Sequence, residues 1–476
     1  MDFALSSIES KSWVRPAFLL AVVCLLMHCS YSNATERPNI VMIISDDQAW
    51  TDYGFMGHDV IQTPHLDRLA TESVVFDRGY VPTGLCRPSL MTLITGLYAH
   101  QHKTTGNDPS TAVTDPKSPE YDQQREKLIA HVDQHPTVPR LLKDLGYISH
   151  QSGKWWEGSY QRGGFTAGMT RGFPERGGRH GDDGLKIGRE GMGPVLEFVD
   201  QAVQEDKPFF LWYAPFLPHT PHNPPERILK KYVTADRPEA LAKYYAMCDW
   251  FDETCGELLD HLNEKGIRDN TLIVYVTDNG WIQRTPDTKV PEGWNQSFAP
   301  KSKQSPNEGG VRTPIMFSWR GKFAPGRRSD LVSSIDIVPT MLGAVGADIP
   351  SDLPGLDLTA SLQEGKEIKR NAIFGESFAH DVADVEDPEA SLVYRWCISG
   401  HWKLLLTYDG ATGRYGNVLR RGELGPQLFD LEADPFETKN LASDNPDVVT
   451  QLAKKIDRWW PVKKRKVFGL AASGSR

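Results

Sequence analysis

The chain has 476 residues, with 53 Lys plus Arg against 62 Asp plus Glu and a formal net charge of −9. That acidic balance disfavours a nucleic-acid binder, and 39% hydrophobic with 24% charged residues excludes both a disordered tail and a coiled coil. The length suits one large α/β domain and one small domain.

The first 34 residues read as a secretory leader. Lys11 and Arg15 precede an apolar run from Ala17 to Met27, and Ser32, Asn33 and Ala34 place small residues where cleavage would fall. The run falls short of the roughly 18 apolar residues that suggest a membrane span. A soluble, secreted or periplasmic mature protein is expected. A lipoprotein reading through Cys29 fits less well, because Met27 and His28 are not the small residues such a site needs.

Asn39 to Ser45 is a continuous apolar run ending in Asp46 and Asp47, the pattern of a strand buried on both faces of a parallel sheet. A helix is expected over His65 to Val75. Cys86-Arg87-Pro88-Ser89 opens another helix, with a stripe of Leu90, Leu93, Ile94 and Leu97 at i, i+3, i+4 and i+7. Pro88 suits its first turn. Cys86 would then sit at a helix N-terminus, where backbone N–H groups favour a thiolate or an oxyanion. A buried or disulfide-bonded cysteine is the competing reading. Further helices are expected at Val138 to Leu145, Gly193 to Val203 and Pro238 to Glu264, alternating with strands at Tyr147 to Ser149, Phe209 to Tyr213 and Thr271 to Thr277.

This alternation argues for a doubly wound, mostly parallel α/β sheet flanked by helices. Ligands of such sheets bind beyond the carboxyl ends of the strands. There lie Asp46, Asp47, Asp278 and Asn279, hard oxygen donors suited to Ca²⁺ or Mg²⁺, although an Asp pair after a strand can also cap a helix or begin a turn. From about Asn371, short apolar segments at Ala372 to Phe374, Leu392 to Ile398, Trp402 to Tyr408 and Gln427 to Leu431 suggest a smaller C-terminal α+β domain with an antiparallel sheet. The expected organisation is a leader over 1–34, a catalytic domain over 35–348, a connection over 349–371 and a small domain with its tail over 372–476. Lys463 to Lys466 reads as a solvated tail. Cys248 and Cys255, seven apart in a helix, are separated by about 10 Å of rise and cannot bridge.

Cys86-Arg-Pro-Ser-Leu-Met-Thr-Leu-Ile-Thr-Gly96 resembles the signature of the type I, formylglycine-dependent sulfatases of the alkaline-phosphatase-like superfamily. Five other segments match in order: Arg37 to Asp47, Gly153-Lys-Trp155, Thr277-Asp-Asn-Gly280, Glu308-Gly-Gly-Val-Arg312 and Leu428 to Pro435. The resemblance spans nearly the whole mature chain. It implies Asp46, Asp47, Asp278 and Asn279 as calcium ligands and Cys86 as the residue that a formylglycine-generating enzyme converts to formylglycine. Hydrated formylglycine would attack sulfur with one hydroxyl and displace the alcohol, and loss of the proton on the other hydroxyl would expel sulfate and restore the aldehyde.

The resemblance further implies that Lys154 binds the sulfate oxygens and that His219 contacts sulfate or the leaving oxygen, with His222 a weaker substitute. Lys303 would neutralise or protonate the leaving alkoxide, Lys301 being close enough to compete for that register. Two positions depart from the family. Leu90 stands where Arg is usual, and Trp156 where the usual His helps deprotonate the second hydroxyl, which indole cannot do. His219, His150 and His180 are the replacements to weigh.

Arg179, His180 and Asp182, in a glycine-rich loop, could contact substrate, and Trp50, Trp281 and Trp294 lie near motif-bearing loops. Asn295-Gln-Ser297 is a glycosylation sequon in a eukaryotic host. The expected activity is hydrolysis of a sulfate ester, most plausibly of a sulfated carbohydrate. The alternatives are a phosphatase, phosphodiesterase or phosphonate hydrolase on the same metal rim, or a degenerate binder of sulfated glycans.

Overall fold

The computed structural model describes residues 1, 37–112, 114–281, 301–413 and 424–470. The leader beyond Met1, Trp294 and the Asn295 sequon lie outside the described residues. In chain order the strands are β1 (Asn39–Ser45), β2 (Val74–Tyr80), β3 (Asp108–Pro109), β4 (Ile148–Gly153), β5 (Ala167–Gly168), β6 (Phe209–Ala214), β7 (Thr271–Thr277), β8 (Arg312–Ser318), β9 (Gly326–Arg328), β10 (Val332–Ser333), β11 (Ile373–Phe378), β12 (Asp381–Val382), β13 (Leu392–Ser399), β14 (Trp402–Thr407) and β15 (Gln427–Asp430).

The large sheet runs β10-β2-β8-β7-β1-β6-β4-β5, with β9 also on β2. The five strands from β7 to β5 are mutually parallel, whereas β8 runs antiparallel to both β7 and β2. Alternation along β1 explains its unbroken apolar run. Ile40, Met42 and Ile44 enter one core cluster, shared with the helix Cys86–Thr95. Val41 and Ile43 enter the opposite cluster, under the helices Gly193–Gln204 and Glu239–Glu264. Both faces are covered, so no position of β1 needs to be polar.

Register fixes the rim. Ser45 pairs with Thr277 and Gly153 with Ala214, so β1, β7, β4 and β6 finish together and deliver the residues that follow them to one edge. Because β8 is antiparallel, its beginning lies at that same edge and brings the segment before Arg312 with it.

The smaller sheet, β11-β13-β14-β15, is antiparallel throughout. The helix Pro446–Trp459 covers it with Val449, Leu452 and Ile456. The pair β3–β12 links Asp108 and Pro109 to Asp381 and Val382. Residues Pro38–Arg476 cluster as one compact unit.

Two expectations change. The helix expected to reach Val75 ends at Thr71, and Val74 opens β2, because Glu72 and Ser73 close the helix with backbone bonds to Leu69 and Ala70. The basic segment at Lys463 is anchored: the backbone N–H groups of Lys463 and Lys464 donate to Glu389, and Lys464 Nζ lies 2.9 Å from Asp387. Among the described residues no helix is long and apolar enough to cross a membrane.

Candidate active site

Asp46 leaves β1 with its N–H donating to Leu217 O at 3.0 Å, and Asp278 leaves β7 with its N–H donating to Ser45 O at 2.9 Å. Asp47 then turns through a left-handed backbone, φ +60°, and its N–H donates to Asp278 Oδ1 at 3.1 Å. Strain of this kind persists only where the surroundings over-determine it. Asn279 Nδ2 donates to Asp47 Oδ1 at 2.6 Å, and Lys303 Nζ reaches the two Asp47 oxygens at 2.6 and 2.8 Å. Lys154 Nζ donates to Asp46 Oδ1 at 2.8 Å and lies 3.2 Å from Cys86 Sγ. His219 Nε2 stands 3.2 Å from Asp47 Oδ2.

Cys86 starts the helix Cys86–Thr95, with its Sγ 3.7 Å from Asp47 Oδ1 and 3.9 Å from Asp46 Oδ1. Burial raises its thiol, and Lys154 and Lys303 do not offset this, so the unmodified side chain is a protonated thiol and a poor nucleophile. The other described cysteines, Cys248, Cys255 and Cys397, are buried and free.

Asp46, Asp47, Asp278, Asn279, Lys154 and Lys303 are all buried. Burial pushes Asp46 well above the usual carboxylate range, Lys154 opposing while Asp278 and Asp47 add to it. Asp278 is raised for similar reasons. At Asp47 burial acts in the same sense but is outweighed, chiefly by Lys303, so its carboxylate stays ionised.

A hard cation fits this donor set. Asp46 Oδ2, Asp278 Oδ2 and Asn279 Oδ1 are buried acceptors without a hydrogen-bond partner among the described residues, each costing about 1–3 kcal/mol if left so. His219 Nδ1 sits 2.6 Å from Thr220 O and must carry the proton there, which turns the Nε2 lone pair of a neutral ring toward a carboxylate. Burial and the two lysines hold that ring well below the usual imidazole range. Two acceptors so placed call for a proton donor or a cation between them. Asp46, Asp47, Cys86 and His219 offer ligand atoms within 4.8 Å of one another; Asp278 and Asn279, also expected from the sequence, contact Asp47.

The remaining expected residues take distinct places. Leu90 is buried in the core cluster on the Cys86 side of the sheet. The Lys154 ammonium lies 5.1 Å from the ring of Trp156 and 5.2 Å from that of Phe216. Phe216 stacks on His219 at 4.2 Å, and the ring of His180 stands 5.2 Å from Trp156. His180 is held down to about 3 by burial, with Lys154 and Arg179 adding. Arg179 is engaged by Asp108, which Arg125 also contacts. His150 lies inside β4 against Phe198, three residues before the rim, and His222 stands near Tyr244 and Trp281.

Lys301 donates to Glu437 O at 2.9 Å, so of these two neighbouring lysines it is Lys303 that reaches the cluster. Asp182 accepts from the N–H groups of Arg171 and Gly172 and acts as a loop staple.

Some supporting residues carried no signal in the sequence. Arg189 donates to Phe216 O and His219 O, fixing that loop. Glu157 takes both arms of the Arg87 guanidinium at 2.8 and 2.7 Å, and Asn107 Oδ1 accepts from Arg87 N, next to Cys86.

The family model described as Sulfatase matches residues 38–347, about two thirds of the chain. The chain belongs to the sulfatase family. A second model, N-sulphoglucosamine sulphohydrolase, C-terminal, matches residues 302–460 of this sulfatase. Human arylsulfatase A is 28% identical, over 90% of this chain and 89% of its own. The N-acetylgalactosamine-6-O-sulfatase of Bacteroides thetaiotaomicron is 23% identical, over 92% and 97%.

Among solved structures, the PsFucS1 sulfatase from Pseudoalteromonas sp. superposes with a TM-score of 0.64 at 22% identity, over 95% and 96% of the two chains. A phosphonate monoester hydrolase of Agrobacterium radiobacter gives 0.63 at 19%, over 88% and 94%. The fold is thus shared beyond sulfate chemistry, while family membership makes this sulfatase a sulfuric ester hydrolase.

Proposed function

We propose that the protein is an exported, formylglycine-dependent sulfatase that removes sulfate from a sulfated carbohydrate. The carrying observation is the convergence of Lys154, Lys303 and His219 on Cys86 and Asp47, beside three buried acceptor oxygens that lack partners. Asp46, Asp47, Asp278 and Asn279 would hold Ca²⁺, with Mg²⁺ the alternative. Calcium would supply Lewis-acid polarisation, and formylglycine made from Cys86 by a formylglycine-generating enzyme would supply a hydrated aldehyde as nucleophile.

The chain's own groups do the rest. Lys154 is raised above the usual lysine range, its burial offset chiefly by Asp46, so it carries a fixed positive charge for sulfate oxygens. Trp156 and Phe216 wall that ammonium and exclude water, which strengthens its field. Lys303, also raised because Asp47 outweighs its burial, is charged and placed to neutralise or protonate a leaving oxygen. His219 presents an unprotonated Nε2 at the cluster and is the base that replaces the histidine missing at Trp156. His180 and Arg179 stand beyond Trp156 as contacts for the rest of the substrate.

The names of the relatives support a sulfated carbohydrate, since one is an N-acetylgalactosamine-6-O-sulfatase. The leader pattern supports export. Co-expression with a formylglycine-generating enzyme, followed by peptide mass analysis around Cys86 and side-by-side turnover of aryl sulfate and aryl phosphate, tests the reading. Conversion with sulfate turnover is expected. An unmodified thiol would refute the formylglycine assignment, and preferred phosphate turnover would point to the phosphohydrolase alternative.

A further inference from the structure

We propose that Glu437, in the turn after β15, is a positioning residue for Lys303, so that the small C-terminal sheet completes the active site. The inference rests on the reading of Lys303 given above. Glu437 holds the 301–308 segment at both ends: Lys301 Nζ donates to its carbonyl oxygen at 2.9 Å, and Glu308 N–H donates to its Oε2 at 2.7 Å. Lys301 also lies 5.3 Å from the ring of Phe429 on β15.

The held segment does not have a relaxed backbone. Lys301 and Gln304 are non-glycine residues in the left-handed region, with φ of +51° and +69°, and Glu437 itself has φ +54°. Such conformations persist where flanking contacts impose them. Between the two tethers, Lys303 N–H donates to Trp281 O at 2.7 Å and Gln304 N–H to Gly84 O at 2.6 Å, two residues before Cys86. The segment is therefore fixed against both the chain that follows β7 and the loop that precedes Cys86, and the Lys303 ammonium leaves it toward Asp47.

A buried ion cluster backs the clamp. Lys403 of β14 lies 2.9 Å from Glu308 Oε1 and 3.2 Å from Glu437 Oε1, while Glu308 Oε2 accepts from Tyr80 Oη at 2.9 Å and lies 3.5 Å from Arg312. Two acids and two bases balance one another. Clusters of this kind have a better-attested role in fixing geometry than in adding stability.

Two measurements test the clamp. In the first, Lys303 and Lys154 acylation by an amine reagent is followed by peptide mass analysis in wild type, Lys301→Met and Glu437→Ala. Both variants should label Lys303 about tenfold faster with Lys154 unchanged, whereas equal acceleration at both lysines, or at neither, overturns the proposal. Lys301→Met removes one tether at an exposed residue and covers the case in which Glu437→Ala fails to fold.

In the second, a series of aryl sulfates is turned over. Lys303→Ala should widen the rate ratio between the best and worst leaving groups by about tenfold or more. Glu437→Ala should widen it in the same sense, and Glu437→Gln, which keeps an acceptor for Glu308 N–H, should restore it. A change for Lys303→Ala with none for Glu437→Ala overturns the clamp alone. No change for Lys303→Ala overturns the reading of Lys303 and this inference with it.

Discussion

The ring of Trp156 stands 5.1 Å from the Lys154 ammonium, so the position where the resemblance implies a histidine here carries an aromatic wall. A cation facing an aromatic ring in a dry site gains about 2 kcal/mol. Trp156→Leu is expected to raise KM for sulfate esters about tenfold, with Trp156→Phe close to wild type. Steady-state kinetics of the two variants check this; equal effects would show that the ring face is not what matters.

Removal of one rim oxygen should separate metal binding from folding. Asp278→Ala is expected to abolish bound calcium, measured by elemental analysis, and to lower kcat by at least about a hundredfold. Added Ca²⁺ should stabilise wild type by about 2.7 kcal/mol at a hundred times Kd, raising its unfolding midpoint, and leave that of Asp278→Ala unmoved.

Asp252 gives a pH signature away from the site. Burial pushes its carboxyl up to about 7, against the opposing N–H groups of Leu66 and His65, at 2.7 and 3.1 Å. The folded state therefore keeps a proton that the unfolded chain has released above about pH 4, so stability falls as pH rises from about 4 to 7 and levels off beyond. In urea unfolding, Asp252→Asn should gain on wild type across that window by a few kcal/mol. A constant difference at all pH values would refute the shift.

Gly153 precedes Lys154 with φ +87°, and a Cβ there would lie 1.8 Å from Ala214 O on the neighbouring strand. No side chain can be placed without parting β4 from β6. Gly153→Ala should yield little folded protein, and any that folds should bind sulfate esters poorly because Lys154 is displaced. Circular dichroism and KM report the two effects.

The two-sided burial of β1, β6 and β7 made those strands legible as apolar runs, and the residues at their carboxyl ends followed. Less could be read where the local pattern was ambiguous. The valines that open β2 continued a helix-like spacing, and only the Glu72–Ser73 turn separates the two elements. Nothing in Arg312 to Ser318 announces an antiparallel partner for β7. Lys301 and Lys303 were indistinguishable by position; two left-handed residues send one to Glu437 and the other to Asp47. Contacts such as Glu437 with Glu308, 129 residues apart, are set by the tertiary fold and leave no local mark.

The pairing of Ser45 with Thr277 makes the sheet a ruler for the chemistry. Side chains alternate along a strand, so a slip of one residue would turn Asp46 or Asp278 to the opposite face and dissolve the oxygen cradle. Insertions and deletions in this lineage should therefore accumulate in the loops beyond the rim, where substrate preference can be rewritten, while the lengths of these two strands stay fixed.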